Sequence, residues 1–124
     1  MEYNNDFRYD LKLGQEGEKL VASIFTNPTI EVKTDSWIYK TGNVAIEYES
    51  RGKPSGIATT QAAYWTIVFS GGYNNQVIIT IETERLKRIA RKYLKKGKTK
   101  AVGDSNTSLV VLIPATKLIE LKDI

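Results

Sequence analysis

The chain has 124 residues, 41% of them hydrophobic and 26% charged, a size and balance that suit one domain with a core of its own. It contains no cysteine and no histidine, which excludes disulfides, thiolate zinc sites, cysteine nucleophiles, Ser-His-Asp triads and histidine general bases. The net charge of +4 and pI near 9.2 are modest but unevenly placed, and any metal must be held by oxygen ligands, as suits magnesium, manganese or calcium.

Residues 1–6 are acidic and polar, unlike a signal peptide, and no apolar run is long enough to cross a bilayer, so a cytoplasmic protein with no membrane partner is expected. Leu13, Gly17, Leu20, Val21 and Ile24 recur at helical spacing, which predicts an amphipathic helix over 11–25 that Asn27-Pro28 ends. Strands follow over 29–35 and 43–50, joined by a link that extends the hairpin or forms its turn. Residues 51–56 read as a loop, and Thr59 or Thr60 is placed to cap a short helix through Gln61 to Tyr64. A third strand covers 65–69, a glycine-rich turn 70–75, and a fourth strand 76–81.

Thr83 is placed to cap a second long helix whose apolar stripe is Leu86, Ile89, Ala90, Tyr93 and Leu94, with Gly97 closing it. Residues 98–107 read as a polar loop, 108–113 as a last strand, and 114–121 as a short helix or extension. The order α-β-β-(α)-β-β-α-β describes one α+β domain over 1–124, with a central sheet flanked by helices.

The acids of the first two strands fall on alternate residues. Glu31, Lys33 and Asp35 share one face of the first; Glu47 and Glu49 share one face of the second, with Val44, Ile46 and Tyr48 on the other. Paired as an antiparallel hairpin, the strands would gather Asp35, Glu47 and Glu49, which repel unless a cation or shared protons lie between them. The bland alternative is the solvent face of an amphipathic hairpin. The chemical one is divalent-metal phosphodiester hydrolysis, which needs two or three rigidly held carboxylates.

Between Arg85 and Lys100 stand nine basic residues and no acid, half of the 18 in the chain. Arg88, Arg91, Lys92, Lys95 and Lys96 form its centre, as a nucleic-acid footprint or a solvated helix face. The loop Gly52-Lys53-Pro54-Ser55-Gly56 lacks the Gly-Lys-Ser/Thr ending of a phosphate loop but suits backbone contacts from Arg51 and Lys53. Trp37, Tyr39, Tyr64 and Trp65 are either base-stacking or core aromatics.

Asp35, eleven intervening residues, then Glu47-Tyr48-Glu49, preceded by Gly14-Gln15-Glu16-Gly17-Glu18 on the first helix, resembles the PD-(D/E)XK nuclease superfamily. Within it the pattern is similar to small phage-encoded nucleases and archaeal-type Holliday-junction resolvases. The resemblance runs from about Gly14 to Ile113. It implies a restriction-endonuclease-like αβββαβ core and a magnesium- or manganese-dependent DNA endonuclease, with structure-selective cleavage of junction or branched DNA as the candidate activity. Asp35 and Glu47 take the metal-ligand positions, and Glu18 takes the helix-borne acid. Glu49 stands where the family commonly has lysine, as a metal ligand or a base, so Lys53 or Lys33 would supply the positive charge. Gln61 falls where some members carry a polar active-site residue. A homodimer would cover a long or symmetric substrate, and RNA remains an alternative substrate. The competing readings are a non-catalytic nucleic-acid-binding module on the same fold, and an interaction protein whose basic helix meets an acidic partner.

Overall fold

The computed structural model describes residues 7–26, 29–72 and 74–122. In chain order the elements are α1 (Phe7–Thr26), β1 (Ile30–Asp35), α2 (Ile38–Thr41), β2 (Asn43–Ser50), β3 (Lys53–Pro54), β4 (Tyr64–Ser70), β5 (Gln76–Glu82), α3 (Thr83–Lys95), β6 (Thr99–Val102) and β7 (Ser108–Pro114). Turns of 3-10 helix lie at Gly56–Ala58, Asp104–Asn106 and Ala115–Leu118. The α+β class expected from the sequence is what the chain adopts. The Asn27-Pro28 stop, Tyr73 of the glycine-rich turn and the acidic residues 1–6 lie outside the described residues.

The strands form two sheets rather than one central sheet. β1 runs parallel to β4, which is antiparallel to β5, giving the mixed order β1-β4-β5. The second sheet is antiparallel, in the order β3-β2-β7-β6. The expected β1–β2 hairpin ladder is therefore corrected. Its seven-residue link winds into a turn of helix, α2, instead of a tight reversal, and each strand takes its ladder from elsewhere.

One apolar cluster draws on both sheets. Trp65, Ile67 and Ile81 alternate inward from β4 and β5, as do Val44 and Ile46 from β2 and Val111 and Ile113 from β7. α3 lays Leu86, Ile89, Ala90 and Tyr93 on this layer, as its stripe predicts. Each such fully buried Leu, Ile or Val contributes about 1.5–3 kcal/mol of transfer free energy.

The end of α3 follows the sequence and its start does not. Gly97, at φ 72°, lets the chain reverse, so that its N–H donates to the Leu94 carbonyl at 3.0 Å and that of Lys98 to Tyr93 at 3.1 Å. Thr83 is buried and makes no cap; its hydroxyl donates to the Ala62 carbonyl at 2.7 Å and its N–H to Ala63 at 3.0 Å. That bond ties α3 to the segment before β4. The short helix expected there does not form, because the Thr60 hydroxyl accepts the Ala62 N–H at 3.2 Å and holds a turn. The polar loop expected over 98–107 contains β6, which pairs with β7.

α1 is amphipathic as expected, but Leu13, Leu20, Val21 and Phe25 remain exposed, and from 8 to 26 only Ile24 is partly covered. The outer face of the β1-β4-β5 sheet likewise leaves Ile30, Val32 and Ile78 open.

Candidate nucleic-acid groove and carboxylate pair

Asp35 ends β1 only 6% exposed, with every carboxylate bond made to backbone. Its Oδ1 accepts the N–H groups of Trp37 at 3.0 Å and Ile38 at 3.1 Å, closing the first turn of α2. Its Oδ2 accepts the N–H of Ala45 in β2 at 3.1 Å. Leu112, paired with Ala45, gives its own N–H to Lys98, so Ala45 presents its N–H to the side away from β7. The carboxylate thus takes the place of a neighbouring strand on an open edge. This is what remains of the hairpin.

Glu47 lies two residues beyond Ala45, about 7 Å along the same face. Its Oε2 accepts the Ser55 hydroxyl at 3.0 Å, while Oε1 has no protein donor among the described residues. Gly56 makes this possible. At φ 54° it brings the 3-10 turn so close to β2 that a Cβ there would lie 2.2 Å from the Glu47 carbonyl oxygen. Neither Ser55 nor Gly56 was singled out from the sequence; the Pro54-Ser55-Gly56 turn signal was the available hint.

Glu49 departs from expectation. Glu47 pairs with Val110 and Glu49 with Leu109, leaving Tyr48 as the extra residue of a β-bulge. Leu109 and Val110 face opposite ways, so the register turns Glu49 to the α3 side of the sheet, away from Glu47. The shared face predicted by strict alternation is lost to that one residue. Past the bulge, Ser50 and its partner Lys53 return to the Glu47 side.

The remaining candidates separate as follows. Glu18 is exposed on α1, whose outward position brings it to none of the other acids' elements in an extended contact. Gln61 is exposed in an extended segment, and what it contributes is its backbone carbonyl, which accepts the Thr29 hydroxyl at 3.3 Å. Arg51 is exposed in the β2–β3 turn. The basic face of α3, with Arg88, Arg91, Lys92, Lys95 and Lys96 exposed, points away from the Val111 and Ile113 side on which the helix packs. It is therefore across the sheet from Glu47. The apolar stripe of α3 dictates that orientation. Lys96 packs over the Tyr93 ring at 4.9 Å and Lys87 pairs with Glu84 at 3.8 Å.

Lys100, read from sequence as the end of the basic run in a polar loop, belongs instead to β6 and to the Glu47 face. Glu47, Val110 and Lys100 occupy one row across three strands. With strands about 4.8 Å apart, the two charged residues stand about 10 Å apart at the backbone. Beside that row runs a groove of about 420 Å³, floored by Ala45, Val110 and Leu112 and edged by Lys33, Asp35 and Lys100.

Among the described residues, no group of three or more acidic side chains comes together in a way that could hold a metal ion. A magnesium ion is commonly held by one or two carboxylates together with waters and substrate phosphates. Glu47 Oε1 and the unused lone pair of Asp35 Oδ2 are suited to that smaller role. Among the described residues no helix is long and apolar enough to cross a membrane.

No family model matches the chain, and neither a curated protein nor a solved structure matches it.

Proposed function

We propose that the protein is a divalent-metal-dependent DNA endonuclease of PD-(D/E)XK type, with a restriction-endonuclease-like core in which Asp35 and Glu47 are the metal ligands. The observation that carries the reading is the locking of the buried Asp35 carboxylate to the β2 edge one same-face step from Glu47, beside a groove edged by Lys33 and Lys100. Three backbone N–H groups fix Asp35, and the Ser55 hydroxyl orients Glu47, so neither carboxylate must be ordered when substrate arrives. Lys33, Lys100 and the exposed Lys53 hold the phosphate backbone across the groove. A bound magnesium or manganese ion would supply the acidified water and the positive charge that neutralises the scissile phosphate. Glu49, behind the bulge, serves no direct part in this arrangement.

The test is cleavage of supercoiled plasmid and branched DNA with magnesium or manganese. Glu47→Gln keeps the Ser55 hydrogen bond but removes the charge, so cleavage should fall roughly 100-fold while the melting temperature stays unchanged. Cleavage that survives this substitution removes the assignment. Binding should weaken steeply as salt rises, because phosphate contacts release counterions.

A second reading, a nucleic-acid-binding module without turnover, is favoured by the bulge that separates Glu49 from Glu47. Salt-sensitive DNA binding with no cleavage under any divalent metal selects it.

A further inference from the structure

We propose that α2 is a stacking platform for unpaired bases of a DNA strand, Trp37 and Tyr39 receiving the bases and Lys33, Lys40 and Lys100 the phosphates. The inference rests on the nucleic-acid reading above for its class of ligand, but not on cleavage.

The two tryptophans of the chain have opposite fates. Trp65 is 3% exposed and belongs to the core, whereas Trp37 is 65% exposed and Tyr39 61%. Water contact at so much aromatic surface forgoes a large burial free energy, and here it occurs twice within three residues. Between the two rings Ile38 turns inward and anchors the turn in the core. The outward rings are thus a consequence of the geometry that buries Ile38, and the backbone that carries them is fixed at both ends. Asp35 takes the N–H groups of Trp37 and Ile38, and the N–H of Gly42 closes the other end on the Ile38 carbonyl at 2.7 Å. A platform ordered before binding loses little conformational entropy when occupied.

Charge selects the occupant. The Lys40 ammonium lies 5.1 Å from the Trp37 ring centroid and 5.7 Å from that of Tyr39. Trp37 borders both the groove of Lys33 and Lys100 and a second hollow of about 330 Å³ that contains Tyr39, Lys40 and Ser70. Among the described lining residues the one acid is Asp35, whose oxygens are turned to backbone donors. Lys40 beside both rings, with Lys33 and Lys100 in the groove that Trp37 borders, matches a ligand that alternates phosphate with flat rings. In a duplex those rings are stacked on each other, so the match is to unpaired nucleotides. Placed at the end of the groove that runs past Asp35, the platform would favour substrates with a single-stranded segment next to the scissile bond.

The experiment uses the full chain in EDTA, with tryptophan emission as the readout, because Trp65 is shielded and Trp37 reports. Titration with oligothymidylate of about 12 nucleotides should quench emission saturably. A blunt duplex of the same strand length and inorganic polyphosphate should not. By anisotropy of a labelled strand, Trp37→Leu and Tyr39→Leu should each weaken binding roughly tenfold, and Trp37→Phe should restore most of it. Circular dichroism checks that each variant is folded, as expected for side chains directed to solvent. Equal quenching by polyphosphate or duplex, or unchanged affinity in both leucine variants, overturns the proposal. Quenching by single strands without cleavage of any substrate supports the platform and removes the nuclease reading. Cleavage of unpaired strands that Trp37→Leu leaves unaltered, together with unaltered affinity, does the reverse.

Discussion

Asp35→Ala should destabilise the protein by about 3–5 kcal/mol, since three backbone N–H groups lose a charged acceptor, that of Ile38 buried and those of Trp37 and Ala45 partly so. The loss falls on both the first turn of α2 and the β2 edge, so it should appear as a lower denaturation midpoint in urea with little change in slope. Asp35→Asn retains a carbonyl oxygen for Trp37 and Ile38 but turns an amide toward the Ala45 N–H, and should cost about 1–2 kcal/mol. An alanine variant within 1 kcal/mol of the wild type would show that these bonds are not what holds the turn. The ordering matters for function as well. Inactivity of Asp35→Ala has a structural explanation before it has a catalytic one, whereas Glu47→Gln leaves the backbone bonds untouched.

Gly56→Ala is the second large effect, at about 3–5 kcal/mol. The added Cβ would meet the Glu47 carbonyl oxygen at 2.2 Å, the carbonyl carbon at 2.9 Å and the Glu47 Cβ at 3.1 Å. These are backbone and near-backbone atoms of a paired strand, so nothing flexible can yield. Gly97→Ala is the control: its φ of 72° is also left-handed, but no heavy atom lies within 4 Å of the added Cβ, and the cost should be about 1–2 kcal/mol. The difference between the two variants measures the close approach alone. Thermal unfolding of both, on the same chain, gives it directly. Equal destabilisation would mean that the 3-10 turn rides up without penalty and that Ser55 does not hold Glu47 in place.

Much of the secondary structure was legible because it is local. The strands expected over 43–50, 65–69 and 76–81 became β2, β4 and β5, the stripe from Leu86 to Tyr93 became the buried face of α3, and Gly97 ended that helix. What was illegible is non-local. Nothing in residues 29–35 says that β4, more than thirty residues on, outcompetes β2 as a ladder partner. The Tyr48 bulge leaves no mark on a sequence that alternates without a flaw, yet it decides which acids share a face. Asp35 illustrates a different limit. An aspartate just before a short polar segment is also a turn acceptor, and that local signal was present in Asp35-Ser36-Trp37. Spacing to Glu47 drew attention to its charge; the structure accounts first for its hydrogen bonds. Lys100 was similarly placed in the polar loop trailing the basic helix and belongs to a strand across the sheet.

At the end of β1, the two sheets meet through a side chain rather than a ladder, and this has a kinetic consequence. The amides of Trp37, Ile38 and Ala45 share one protecting group, so a single rotation of the Asp35 carboxylate removes the acceptor from all three. Their hydrogen exchange should be correlated, and faster than that of Ile46 and Val111 in the buried ladder. The three amides at the seam between the sheets should therefore gain or lose protection together.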